Sequence, residues 1–157
     1  MRIRLALPEE AETCWTIRNQ AIRHGCRHSY DAAIIAAWTP EQMPASYRCA
    51  IAEHPFFVAE CPDNRLAATG FLDLSTASVE AVFTLPHYSG QGLGSLIMDA
   101  IKREARERGF DQLTLSSTPN ARSFYEKQGF TLVRESRYSS ALAQAELRCL
   151  EMLLTLR

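Results

Sequence analysis

The sequence predicts a mixed α/β domain built around one sheet. Three observations carry this. Phe56–Glu60, residues 66–74 and residues 79–85 read as strands joined by short turns, the pattern of a meander. Helical spacing of apolar residues precedes that meander and returns after it at Leu93, Leu96, Ile97, Ala100 and Ile101. The chain has 157 residues, 46% apolar and 22% charged, enough for one domain to bury a core without disulfides or a metal.

Taken in order, residues 3–6 form a short strand. Pro8, Glu9 and Glu10 open a helix, since proline fits a first helical turn and acids suit the positive end of the helix dipole. Trp15, Ile17, Ala21 and Ile22 keep roughly helical spacing, and Gly25 ends the helix. Asp31 caps a second helix that reaches Trp38. Thr39, Pro40 and Glu41 start a third, running to about residue 53. Pro62, Asp63 and Asn64 are the first turn of the meander. Residues 89–95 are a glycine-rich turn that opens the next helix. Lys102, Arg103, Arg106 and Arg108 crowd the last turns of that helix, where cations suit the dipole, and Gly109 closes it. Residues 112–116 are a buried-type strand and 120–128 a short helix closed by Gly129. Residues 130–136 and 147–156 are two final strands. No repeat and no linker divides the chain, so residues 1–157 read as a single domain.

Several classes of function fall away. The net charge of −1 gives no global field for nucleic acid or anionic lipid. The longest apolar run, residues 32–38, is far shorter than the roughly 20 residues of a membrane span. Met1 to Leu5 lacks the apolar core of a signal peptide, so a soluble cytoplasmic protein is expected. The five cysteines are odd in number, widely spaced and without a CxxC pair, which reads as reduced, mostly buried thiols. No histidine pair has ligand spacing with a carboxylate, so no metal is expected.

The chemistry concentrates in Leu85-Pro86-His87-Tyr88-Ser89-Gly90-Gln91-Gly92-Leu93-Gly94-Ser95. Glycines let the backbone approach a ligand closely, and the helix after them offers free N–H groups and a positive dipole end. Three phosphate readings compete. A Walker A loop needs a lysine after its last glycine, but Ser95 follows Gly94. A dinucleotide fold needs the glycines at the strand end and an acid closing the next strand. Here Pro86 to Ser89 intervene and the next strand ends Leu115-Ser116-Ser117. Coenzyme A tolerates the longer approach, because its pantetheine arm must lie along the preceding strand.

Residues 79–130 resemble the core of the GNAT superfamily, the GCN5-related N-acetyltransferases, in its small single-domain bacterial form. Residues 89–94 match the two late glycines of the R/Q-x-x-G-x-G/A turn, with Ser89 in place of Arg or Gln. Asn120 to Phe130 resembles the N-x-x-A/S-x-x-F-Y-x-x-x-G-F signature downstream. The resemblance implies a mostly antiparallel sheet of six to seven strands, splayed at the CoA site and flanked by helices. It implies acetyl-CoA as cosubstrate and a small-molecule or peptide amine as acceptor. It places Phe83, Thr84, Leu85, Ser89, Gly90, Gln91, Gly92, Leu93, Gly94, Ser95, Asn120 and Ser123 at the CoA.

Direct attack by the amine requires a neutral nitrogen, a donor for the carbonyl oxygen and a proton for the leaving sulfur. The resemblance assigns the donor to the backbone N–H of Thr84 or Leu85 and the proton to Tyr125, with Phe124 as the purely buried neighbour. Glu80 is the candidate base, the alternative being a solvent-facing strand carboxylate, and Asp73 is its rival. His24, His28, Tyr30 and Trp38 cluster in the first half of the sequence. Tyr30 or Trp38 lines the acceptor pocket, unless Trp38 is a core anchor. The last strand pair could support a homodimer. The reading from another class is a catalytically weak acyl-CoA-binding regulatory module.

Overall fold

The computed structural model describes residues 1–156. Its seven strands are β1 (Arg2–Leu5), β2 (Phe56–Glu60), β3 (Leu66–Asp73), β4 (Ser78–Thr84), β5 (Gln112–Ser117), β6 (Thr131–Ser140) and β7 (Ala145–Thr155). The helices are α1 (Ala11–Gly25), α2 (Ala32–Trp38), α3 (Ala45–Glu53), α4 (Leu93–Glu107) and α5 (Arg122–Lys127). One sheet runs β1-β2-β3-β4-β5-β7-β6. Every neighbouring pair is antiparallel except β4 and β5.

Period-two alternation covers both faces of the first strands. Phe56 and Val58 of β2 pack into a cluster with Trp15, Ile17 and Ile51, while Ala59 joins Ile97, Met98 and Ile101 of α4. In α1, Ala11, Cys14, Trp15, Arg18 and Ile22 are all buried and fall on one helical stripe. A third cluster gathers Ile22, Ile35, Trp38 and Leu147 under α2. None of the helices among the described residues is long and apolar enough to cross a membrane.

Two elements differ from the sequence reading. The third helix begins at Ala45, not near Thr39, with Pro44 as its N-cap. Pro40 and Pro44 each lack an N–H and push the preceding residue out of the helical region, so no helix runs through both. The final hairpin is longer than expected, since β6 reaches Ser140 and β7 starts at Ala145. Its added residues show little apolar alternation. They are held by ladder pairing such as Arg137↔Arg148 and Ser139↔Glu146.

One break in the sheet positions everything that follows. β4 and β5 share the single register pair Ser78↔Thr114, with Thr114 N–H donating to Ala77 C=O at 3.2 Å. Beyond it the two parallel strands diverge, and the edge of β4 lies open toward β5.

Candidate active site

The open edge begins with a bulge. Ala81 has φ 55°, and the β3–β4 register shifts between Thr69 and Phe71, so two residues of β4 oppose Gly70. The buried Thr69 hydroxyl donates to Ala81 C=O at 2.9 Å and pins the bulge. A side chain at Gly70 would meet Ile97 of α4 at 2.4 Å, so α4 rests on bare backbone opposite the bulge.

After the bulge, Leu85 N–H donates to Ala67 C=O at 2.8 Å and Phe83 pairs with Thr69. N–H groups alternate sides in an antiparallel ladder. Leu85, one of the two expected oxyanion donors, is therefore committed to β3. Thr84, together with Val82, turns its N–H away from β3 into the cleft.

That cleft is a cavity of about 220 Å³ bordered by Val79 to Thr84, Ser116 to Thr118, Asn120 and Tyr125. Tyr125 reaches it from α5, its ring edge-on to Phe124 and Phe130 at 5.1 and 6.0 Å. Tyr125 is the buried ring and Phe124 the half-exposed one, the reverse of the sequence expectation. Phe124 instead lies against Gly94, where an added Cβ would come within 2.9 Å of it. Burial, and next the charge of Glu80, push the Tyr125 phenol well above its ordinary value. The phenol therefore holds its proton more tightly than an exposed tyrosine does.

Below the cleft, the chain passes through a 3-10 turn, Pro86–Tyr88, into the glycine turn. Gly90 and Gly92 have φ 80° and 78°, and Gly92 is the N-cap of α4. No side chain caps this helix, so the N–H groups of Leu93, Gly94 and Ser95 are available to an anion. Ser95 Oγ accepts from Gln128 at 2.9 Å and keeps its own O–H to donate. The Ser89 hydroxyl turns back to Pro86 C=O, and Gln91 is exposed. Asn120 is anchored to the end of α1, its Oδ1 accepting from Cys26 and Ser29 at 3.4 Å each. Ser123 is exposed on α5, outside the lining of the cleft.

A second cavity, about 370 Å³, lies on the other side of the bulge. Glu80, Ala81 and Phe83 border both spaces. The Glu80 carboxylate is accessible, yet it stands in a concave opening crowded by protein atoms. That crowding raises its pKa, with a further upward push from Asp73, although Ser78 donates to it at 2.9 Å. Asp73 itself caps the β3–β4 turn by accepting from Ser75 and Thr76 and lines neither cavity. It is therefore no rival as the base.

Tyr30 and Trp38 both line the second cavity, edge-on to each other at 5.7 Å, and Trp38 is also a core residue. The Tyr30 hydroxyl is held by Arg148 C=O at 2.6 Å. His24 and His28 do not join them and point to solvent. Cys149 and Cys26 border the two cavities, but burial raises both thiols, which argues against a cysteine nucleophile.

The sequence reading missed Trp15, Arg18 and Tyr47, which line the second cavity, and the bulge at Ala81. Two signals were available. Gly70 inside a strand marks a bulge or a close approach. Arg18 sits three residues after Trp15 and four before Ile22, a charge on the buried stripe of α1.

A seven-stranded mixed sheet opens between two parallel strands, with an uncapped helix N-terminus below the opening. The description "Acetyltransferase (GNAT) domain" matches residues 22–150, and the chain belongs to that family. An uncharacterized acetyltransferase of Streptococcus pyogenes serotype M1 is 31% identical over 77 residues, 46% of this chain and 54% of that protein. The chain thus spans about half the length of the curated relatives it matches. The fold is that of a GCN5-related N-acetyltransferase from Rhodopseudomonas palustris, with TM-score 0.89 and 21% identity over 98% of this chain and 94% of that one. It is also that of PaiA N-acetyltransferase from Thermoplasma acidophilum, solved with coenzyme A, with TM-score 0.80 and 17% identity over 98% of each chain.

Proposed function

We propose that the protein transfers the acetyl group of acetyl-CoA to a primary amine by direct attack. The observation that carries this reading is the shared wall. Glu80 and the Ala81 bulge line both the cleft that holds Tyr125 and the second cavity, so one carboxylate borders both spaces. A donor molecule and an acceptor entering from opposite sides would meet there.

The residues fit acetyl-CoA on three counts. The uncapped first turn of α4, with positive-φ glycines before it, suits a pyrophosphate. The open edge of β4 at Val82 and Thr84 offers backbone to a pantetheine arm, and Asn120 flanks its course. Tyr125 lines the same cleft. When bound, acetyl-CoA supplies the activated acyl carbonyl.

The protein's own groups then divide the work. Glu80 takes the proton that the amine must lose, directly or through water. The N–H groups of Val82 and Thr84 stabilise the charge that builds on the carbonyl oxygen. As the C–N bond forms and the C–S bond breaks, Tyr125 returns a proton to sulfur. Every residue in this account comes from one chain, so the reading needs no second copy.

The test is release of free thiol from acetyl-CoA in the presence of an amine panel, with the acetylated amine identified by mass spectrometry. Amine-dependent release, greatly reduced in Tyr125→Phe, is expected. Tight binding of CoA with no turnover on any amine would instead favour an acyl-CoA-binding regulatory module.

A further inference from the structure

The second cavity contains a cation that acetyl transfer does not itself require. Arg18 is 9% exposed and stacks on Trp15, 4.2 Å from its ring centroid, with Trp38 at 5.6 Å. One terminal nitrogen donates to Asn19 Oδ1 at 2.8 Å and to Trp38 C=O at 3.0 Å. Among the described residues no carboxylate pairs with it, and its other guanidinium nitrogens donate to no protein atom. Burial lowers its pKa to about 10, and the groups that act on it electrostatically are Tyr47 and Tyr138. Tyr47 is 9% exposed, and its hydroxyl is sealed within the protein without a hydrogen-bond partner. Both side chains line the same cavity.

Stacking on tryptophan satisfies the face of a guanidinium and leaves its edge unused. A guanidinium with idle donors at the wall of a cavity is placed to bind an anion that enters it. The cavity is lined by both this cation and the Glu80 carboxylate, which also borders the cleft. Its other walls are largely aromatic, including Trp15, Trp38, Phe71 and Phe83. Its volume, about 370 Å³, suits a small molecule.

We propose that the acceptor is an amino acid, whose carboxylate is bound by Arg18 while its amine reaches Glu80. This rests on the acetyl-transfer reading above. Arg18 touches the substrate away from the reacting atoms, so it governs KM and the choice of acceptor.

The test compares thiol release from acetyl-CoA with L-amino acids, their carboxamides and their phosphonate analogues. For the best acceptor, the free acid exceeds the amide by roughly 10- to 100-fold in kcat/KM, the worth of a charge-assisted hydrogen bond. In Arg18→Gln that ratio falls to near one through KM. Arg18→Lys, which keeps the charge without the planar fork of donors, retains part of that preference. Should Arg18→Gln fold poorly, the wild-type ratio of acid to amide decides alone. Equal rates for acid and amide, or preference for the phosphonate, overturn the proposal. If no amine releases thiol, the transfer reading fails separately. The carboxylate site is then judged by tryptophan fluorescence. Saturable quenching by amino acids but not by their amides, lost in Arg18→Gln, supports it; no quenching overturns it.

Discussion

On the proposed thioester side of the shared wall, the groups facing the opening are mostly main chain: the N–H of Val82 and Thr84, and those of Leu93 to Ser95. On the proposed acceptor side the lining is side chains: Arg18 and Trp15 from α1, Trp38 from α2, Tyr47 from α3 and Phe71 from β3. A backbone-built site is fixed by φ values, a strand bulge and a helix end, so it tolerates changes of surface side chain. A site built from side chains on four separate elements depends on how those elements pack, and one substitution can change what it accepts. The thioester side is thereby suited to one constant ligand and the acceptor side to a variable one.

Four substitutions sharpen or break this contrast. Tyr125 is the exception on the thioester side, a side chain to which the proposal gives a chemical task. Tyr125→Phe should lower kcat by about 10²–10⁴-fold with little change in KM for acetyl-CoA, measured by steady-state thiol release. Glu80→Gln should lower kcat/KM by about 10²-fold. Its pH profile is the sharper readout. A base must be deprotonated, and the raised pKa of Glu80 means that activity falls with decreasing pH earlier than for an ordinary carboxylate. That acid limb should vanish in the glutamine variant.

Gly92→Ala tests the backbone claim. Forcing an alanine to φ near 78° at the cap of α4 strains the turn by about 1–2 kcal/mol, or about tenfold in KM for acetyl-CoA, with kcat unchanged. Ser89→Arg gives the smallest effect. It restores the basic residue at the first position of the turn on an exposed site, and should lower that KM by about two- to fivefold, most clearly at low salt.

The same contrast explains what could be read from the sequence. Glycines at 90, 92 and 94, Pro86 before them and Asn120 to Phe130 after them are local patterns, because backbone sites need particular residues at consecutive positions. The strands of the meander and α4 were legible for the same reason. The acceptor side joins residues from 15 to 149, and no local pattern links Arg18 to Tyr47. Only the charge on the buried stripe of α1 signalled that something there awaited a partner. The bulge at Ala81 was hidden because alanine ordinarily avoids positive φ; its trace lies across the ladder, in Gly70. The start of α3 was misplaced because Pro40 was read as a helix opener, while Pro44 makes any start before it untenable.

The central claim is that one cavity delivers an amine to a thioester held in the other. The most direct measurement is thiol release from acetyl-CoA by wild type and Tyr125→Phe across a panel of amino acids and simple amines, with CoA binding measured in parallel. The account predicts amine-dependent release in the wild type and its near loss in the variant, with CoA bound equally by both. Equal release by both proteins, or CoA binding with no amine-dependent release in either, would contradict it.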